Sequence, residues 1–132
     1  MKQYKVAAAI IMHKNEILCM QRAESNYPYL SYKYEFPGGK IEAGETVEEA
    51  LSRELKEEMA LEVNVKPENF FLTVNYQYPD FSIEMHSYII NVDNKAFQRL
   101  EHHDHCWLKA ESLMELDWAP ADIPIMEKLM LN

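Results

Sequence analysis

The most constraining feature of the sequence is the stretch 39–61, in which a glycine break is followed by a long run of helix formers. Gly44 precedes residues 45–60, which contain neither Gly nor Pro. Thr46 with Glu49 three residues later is typical of a capping box, in which each residue satisfies a backbone N–H of the other. The stretch therefore predicts a loop that leads directly into a helix.

One face of this helix carries three carboxylates. At 100° per residue, Glu54, Glu57 and Glu58 fall within an arc of about 100°. The adjoining face carries a large apolar stripe that is expected to pack on a sheet: Leu51, Leu55 and Met59. Clustered carboxylates repel one another, and hard divalent ions such as Mg²⁺ bind carboxylate oxygens and bridge to phosphates. The pattern favours a divalent-ion site, although a solvated acidic face is the alternative reading.

The spacing around these carboxylates carries a family resemblance. Five residues separate Gly39 from Glu45. Seven more separate Glu45 from the segment Arg53-Glu54-Leu55-Lys56-Glu57-Glu58-Met59-Ala60-Leu61. This resembles the Nudix box, Gly-x5-Glu-x7-Arg-Glu-U-x-Glu-Glu-x-Gly-U with U apolar, at every fixed position but one. The departure is Ala60, where the family has Gly, and Ala in a left-handed cap costs about 1 kcal/mol. We expect a slightly altered helix end and an intact carboxylate cluster.

The resemblance implies a fold and a metal site. The fold is of the α+β class, a Nudix-type α/β/α sandwich with a mixed central sheet, in a single domain spanning 1–132. Mg²⁺ is the implied cofactor, with Mn²⁺ as a substitute. The implied ligands are the Gly38 carbonyl and the carboxylates of Glu54, Glu57, Glu58 and Glu101. Arg53 would orient these carboxylates, Glu54 is also a candidate base, and Glu101 could instead be a solvated loop acid.

The rest of the chain resembles the MutT-type branch and its CTP pyrophosphohydrolase and 8-oxo-dGTP diphosphatase relatives. The segments that carry this resemblance are Val6-Ala7-Ala8-Ala9-Ile10-Ile11, Glu35-Phe36-Pro37-Gly38-Gly39, Tyr78-Pro79-Asp80 and Ala119-Pro120-Ala121-Asp122-Ile123-Pro124. Asp122 stands where this branch places an Asn against the nucleobase. A carboxylate only accepts hydrogen bonds, which suits donors such as the cytosine amino group, but guanine and 8-oxoguanine also offer donors. Asp122 could alternatively cap the last helix.

The implied reaction is hydrolysis of a nucleoside triphosphate to the monophosphate and pyrophosphate. Phe36 and Tyr78 are the expected contacts of the base, and Arg22 is the expected contact of the phosphates. One alternative is a Nudix hydrolase of another nucleoside diphosphate derivative. A second is a nucleotide-sensing module without turnover, which we would expect to lack box carboxylates.

Net charge excludes one class of partner. The 22 acidic and 13 basic residues give a formal charge of -9, which disfavours a nucleic-acid polymer and leaves a small nucleotide as the expected partner. Residues 6–12 form an apolar run too short to span a membrane. Cys19 and Cys106 lack the spacing of a metal or redox pair, so we expect reduced thiols and a cytoplasmic protein. A monomer and a homodimer both remain compatible with the sequence.

Patterning outside the box predicts the remaining elements. Residues 6–12 and 17–21 form an expected hairpin, and residues 27–34 an expected loop. Further strands are predicted at 61–65, 69–78, 81–89 and 106–108. A closing helix is predicted at 123–131, with Pro124 in its first turn.

Overall fold

The computed structural model describes residues 1–131, which form seven strands and two α-helices. The strands are β1 (Lys2–His13), β2 (Glu16–Gln21), β3 (Tyr34–Glu35), β4 (Gly38–Lys40), β5 (Phe70–Gln77), β6 (Phe81–Asn91) and β7 (Asp104–Lys109). The helices are α1 (Val47–Met59) and α2 (Ile123–Leu131). Short 3-10 turns occupy Pro67–Asn69, Ala110–Glu115 and Pro120–Asp122. Within residues 1–131, no helix is long and apolar enough to cross a membrane.

The sheet is mixed, in the order β3-β2-β1-β6-β5. β1 and β2 form the predicted antiparallel hairpin, and β5 and β6 form a second one. β1 and β6 run parallel over their whole length, from the pair Lys2 and Phe81 to the pair Met12 and Asn91. β4 adds to β1, and β7 adds to β2. Because the central part of β1 lies between neighbours and is buried on both faces, residues 6–12 form a continuous apolar run.

Both faces of the sheet are covered. On one face the predicted stripe Leu51, Leu55 and Met59 is fully buried against β1 and β2. On the other face Ile10 and Ile17 pack in the same cluster as residues of α2 and of the segment before it: Leu113, Trp118, Ile125 and Leu129. Successive residues of a strand point to opposite faces, so β1 contributes to both clusters. The predicted α/β/α sandwich with a mixed central sheet is confirmed.

The predicted capping box begins α1. The Glu49 backbone N–H donates to Thr46 Oγ1 over 3.1 Å, and the Thr46 N–H donates to the Glu49 carboxylate over 2.9 Å. At the other end Ala60 has φ 52° and ψ 31°, the left-handed conformation. Its N–H donates to the Lys56 carbonyl over 3.0 Å. The altered helix end that we expected is therefore wrong: α1 ends in the left-handed cap of the family pattern, with Ala in a conformation that favours Gly.

Two local predictions need correction. The prediction of a strand at 61–65 is wrong, because that segment runs back along α1. The Val65 N–H donates to Ser52 Oγ over 3.2 Å instead of to a sheet partner. Residues 34–40 contain β3 and β4, where the sequence indicated only the end of a loop and a sharp break at 35–39. β4 pairs Gly38 and Gly39 with Ala8 and Ala7 of β1. In both cases the backbone conformation is decided by a hydrogen-bonding partner that is distant in the sequence.

Candidate active site

Two cavities adjoin at one end of the sheet. The first, of about 400 Å³, is lined by five aromatic side chains among others, and we call it the aromatic cavity: Tyr4, Tyr27, Phe36, Tyr78 and Phe81. The second, of about 450 Å³, is lined chiefly by polar groups and is called the acidic cavity: Arg22, Glu24, Glu35, Glu58, Glu101 and His102. Arg22, Glu35 and Glu58 line both cavities. A ligand with an apolar ring at one end and charge at the other would fit across this junction.

Stacked aromatic rings fix the walls of the aromatic cavity. Phe36 stacks on Trp118 with ring centroids 4.7 Å apart, and the Trp118 indole N–H donates to the Leu113 carbonyl over 2.7 Å. On the opposite side, Tyr78 lies 5.1 Å from Phe81, and its hydroxyl accepts from the Ala121 N–H over 3.0 Å. Both Phe36 and Tyr78 are almost fully buried. Their rings are therefore held in place before any ligand binds.

Asp122 lines the aromatic cavity and is buried. Its Oδ1 accepts from the Phe36 N–H over 3.0 Å, so it joins the last turn to the box loop, and Asp122 itself lies in the 3-10 turn that runs into α2. The hydrogen bond that it makes is therefore not a cap of α2. Burial, and next the charge of Glu35, raise the pKa of Asp122 well above its ordinary value, although the Phe36 N–H and Arg22 oppose this. A raised pKa favours the neutral carboxyl, which can donate as well as accept, so only the ionised form of Asp122 is restricted to accepting hydrogen bonds.

Arg53 ties the box loop to α1. Its Nε donates to Glu45 over 2.7 Å, and its Nη2 donates to the Lys40 carbonyl over 3.0 Å. Its Nη1 donates to Glu54 over 2.9 Å and to Glu57 over 3.2 Å. The hydrogen bond to Glu45 is the largest cause that raises the pKa of Arg53 above its ordinary value, so the guanidinium is a permanent cation. One cation thus pairs with three carboxylates of the box and offsets only one of their three charges.

Two glycines permit close packing between the loop and its neighbours. A Cβ at Gly38 would lie 2.8 Å from the carbonyl carbon of Ala7, so β4 could not lie against β1. A Cβ at Gly39 would lie 2.7 Å from Glu54 Oε1 and closer still to the other two carboxyl atoms. The absence of a side chain at Gly39 therefore leaves the space that the Glu54 carboxyl occupies.

Glu58 is the buried member of the acidic group. Its Oε2 is shielded from solvent and has no hydrogen-bond partner among the described residues. Burial, and next the neighbouring carboxyls of Glu54, Glu35 and Glu101, raise the pKa of Glu58 to about 9. Three other acidic groups, from three parts of the chain, therefore lie around Glu58.

The carboxylates suit a hard divalent cation in their chemistry, but they do not enclose one as they stand. Within residues 1–131, no three His, Cys, Asp or Glu side chains are gathered closely enough to hold an ion. The physical reason is that Arg53 draws Glu54 and Glu57 toward itself, and the Glu57 side chain is 59% exposed. Two features fit Mg²⁺. One is the Glu58 oxygen without a hydrogen-bond partner, and the other is that the candidate ligand atoms are all oxygens.

Glu35 and His102 form a pair in the acidic cavity to which the sequence assigned no role in the site. The Glu35 carboxylate accepts from Arg22 Nη1 over 2.8 Å and pairs with His102 Nε2 over 2.9 Å. Burial alone would raise the pKa of Glu35, but the hydrogen bonds and charges of His102 and Arg22 outweigh it, and the pKa is lowered. In the sequence, only their positions point to the site: Glu35 directly precedes Phe36-Pro37-Gly38, and His102 directly follows Glu101.

The structure divides the predicted site residues into three groups. The aromatic cavity is lined by Arg22, Phe36, Gly38, Glu58, Tyr78 and Asp122. The acidic cavity is lined by Arg22, Glu58 and Glu101. Arg53, Glu54 and Glu57 line neither and form the ion-paired group on the flank of α1.

Known proteins resemble this chain over nearly its whole length. The family model described as NUDIX domain matches residues 1–129. An 8-oxo-dGTP diphosphatase of Escherichia coli K12 is 35% identical, with 98% of each chain covered. A CTP pyrophosphohydrolase of the same organism is 34% identical, covering 98% of this chain and 93% of that protein. The solution structure of the E. coli ORF135 protein superposes with a TM-score of 0.82 at 33% identity, covering 99% of this chain and 91% of the other.

Proposed function

The chain belongs to the Nudix family of hydrolases, and on that premise we propose that it hydrolyses a nucleoside triphosphate to the monophosphate and pyrophosphate with Mg²⁺. The observation that carries the proposal is the junction of the two cavities at Arg22 and Glu58. A nucleobase fits between the aromatic walls, and the polyphosphate then extends past Arg22 into the acidic cavity. That end of the substrate is the one that divalent ions commonly accompany.

We assign the metal ligands to the carboxylates of Glu54, Glu57, Glu58 and Glu101 and to the Gly38 carbonyl. Bound there, Mg²⁺ would neutralise the phosphates and acidify water. The buried Glu58 oxygen without a partner supports this assignment, because a buried carboxylate without a counter-ion is costly. This assignment requires Glu54 and Glu57 to bind the ion while they also pair with Arg53.

The remaining residues position the substrate and move the proton. Phe36 and Tyr78 hold the base, and Arg22 binds a phosphate oxygen. Glu54 accepts the proton of the attacking water, whose oxygen bonds to phosphorus as the bridging P–O bond between the α- and β-phosphates breaks. Arg53 keeps Glu54 in place through the 2.9 Å hydrogen bond.

The substrate that we propose is a pyrimidine nucleotide such as CTP or dCTP, or an oxidised one such as 8-oxo-dGTP. The relatives named for these two activities match this chain about equally, at 34% and 35% identity. Asp122 is the residue most able to separate them, since it lines the aromatic cavity beside Phe36 and contains a polar group that can read the base edge.

The direct test is to follow pyrophosphate release from canonical, methylated and oxidised nucleotides with Mg²⁺ or Mn²⁺. We expect release from a cytosine nucleotide or from 8-oxo-dGTP. No release from any member of the panel with either ion would refute the triphosphatase assignment. In the same assay Asp122→Asn should change the ranking of bases, because an amide carries two N–H donors whereas a carboxyl carries at most one.

The metal assignment is tested by Glu57→Gln, which removes a charged ligand without changing side-chain size. We expect turnover to fall by orders of magnitude with an unchanged melting temperature. Glu62→Gln is the matched control, since Glu62 is an exposed acid beyond α1. Equal turnover in the two variants would contradict the role of Glu57.

A further inference from the structure

Three buried polar side-chain atoms in residues 1–131 have no hydrogen-bond partner: Arg22 Nε, Glu58 Oε2 and His102 Nδ1. All three belong to residues that line the acidic cavity. Buried polar groups are nearly always paired, and each exception calls for an explanation. Under the proposed function, a bound metal ion accounts for Glu58 Oε2. It does not account for the two nitrogens, Arg22 Nε and His102 Nδ1.

Arg22 and His102 are joined through Glu35. Because the pKa of Glu35 is lowered, its carboxylate is ionised and can only accept hydrogen bonds. His102 Nε2 must therefore carry the proton and donate to Oε2 over 2.9 Å, while Arg22 Nη1 donates to Oε1 over 2.8 Å. The result is a linear chain from His102 through Glu35 to Arg22.

The backbone holds the far end of this chain firmly. The His103 N–H donates to the Gln21 carbonyl over 2.9 Å, and the Leu100 N–H donates to the Glu58 carbonyl over 3.2 Å. The segment that carries His102 is thus attached to the end of β2 and to α1. The His102 side chain is only 7% exposed, whereas that of Arg22 is 35% exposed. Arg22 is the movable group, and His102 is the fixed one.

We propose that His102 is a positioning residue that, through Glu35, holds the Arg22 guanidinium in the orientation from which its remaining N–H donors bind the substrate phosphate nearest the base. This inference rests on the proposed function, since it assumes a nucleotide across the junction. A guanidinium already held at Nη1 loses less freedom when it binds a phosphate. His102 acts without touching the ligand.

The test measures binding, so it does not depend on turnover. Calorimetry in EDTA gives Kd for CMP and 8-oxo-dGMP and for the nucleosides cytidine and 8-oxo-deoxyguanosine. His102→Leu removes the N–H, and His102→Gln keeps an amide N–H near the position of Nε2. We expect His102→Leu to weaken monophosphate binding about tenfold, since charge-assisted hydrogen bonds have this magnitude. Nucleoside binding should stay within about twofold, and His102→Gln should restore most monophosphate affinity.

A double-mutant cycle with Arg22→Met shows whether His102 acts through Arg22. In that background His102→Leu should change monophosphate affinity by less than about twofold, because the group that it positions is gone. If His102→Leu fails to fold, His102→Asn replaces it, since the shorter amide cannot reach Glu35 and should give the same loss.

Three results would overturn the inference: equal losses for nucleotide and nucleoside, a full tenfold loss in the Arg22→Met background, or wild-type protein that binds neither monophosphate. Pyrophosphate release by the wild-type protein decides the proposed function separately. An active enzyme with an additive cycle would therefore reject the role of His102 alone.

Discussion

Gly39→Ala should remove catalysis while leaving the fold intact. The added Cβ would lie 2.7 Å from Glu54 Oε1, whereas ordinary contact begins at 3.4 Å, and the other two carboxyl atoms are closer still. The carboxyl must therefore move by about 1 Å, and a displacement of that size at a reacting group can cost about 100-fold in rate. The obstacle is the far end of a flexible side chain, so the backbone need not shift.

The neighbouring glycines provide the controls. Gly38→Ala would place a Cβ 2.8 Å from the Ala7 carbonyl carbon and 2.9 Å from Ala8 Cα, so it should damage the pairing of β4 with β1 and lower the melting temperature strongly. Gly44→Ala meets nothing within 4 Å, but Gly44 has φ +85°. It should cost about 1 kcal/mol of stability and leave turnover unchanged.

The assay is kcat for pyrophosphate release with the substrate found from the nucleotide panel, with melting temperature measured on each variant. The expected pattern is loss of kcat alone for Gly39→Ala, loss of folding for Gly38→Ala and a small loss of stability alone for Gly44→Ala. If Gly39→Ala kept the wild-type kcat, either Glu54 would not be the proton acceptor or its position would not matter.

Two further predictions concern stability. Ala60→Gly should raise the unfolding free energy by about 1 kcal/mol, seen as a higher melting temperature with unchanged kcat, because Ala60 has φ 52°; a lower melting temperature would contradict the strain argument. In protein kept free of divalent ions, the pKa of Glu58 is raised from 4.5 to about 9. The folded state then binds more protons than the unfolded state between these values, so unfolding free energy should fall as pH rises through this window. Thermal melts should also show that Mg²⁺ stabilises the protein more near the alkaline end of this window than near the acidic end, and an equal effect at both ends would contradict the placement of the ion.

Features that repeat along one element could be predicted from the sequence. The stripe Leu51, Leu55 and Met59 has helical spacing and packs on the sheet as expected. α2 also begins and ends at the predicted residues, 123 and 131. The segment 61–65 has strand-like composition, yet the hydrogen bond to Ser52 decides its path. Composition does not reveal such a partner.

The parts of the site that the sequence could not predict depend on contacts between distant segments. Glu35 and His102 are 67 residues apart, and only the folded sheet brings them within 2.9 Å. The raised pKa of Asp122 likewise depends on burial and on the charge of Glu35, neither of which is visible along the chain. A residue type at a family position therefore predicts where a side chain lies better than it predicts which charge it carries.

Arg53 and Glu58 show how the acidic group remains folded without an ion. Arg53 has 23% exposure and pairs within 3.2 Å with three carboxylates on and beside the accessible flank of α1, which reduces the repulsion between them. Glu58 lies beyond its reach, and protonation is the remaining way to remove the buried charge, which is why its pKa is raised. A divalent cation at this position would replace that proton. Metal binding should therefore release protons, and calorimetry of Mg²⁺ binding in buffers of different ionisation enthalpy would measure how many. No release near neutral pH would show that Glu58 is not both protonated in the free protein and a ligand of the ion.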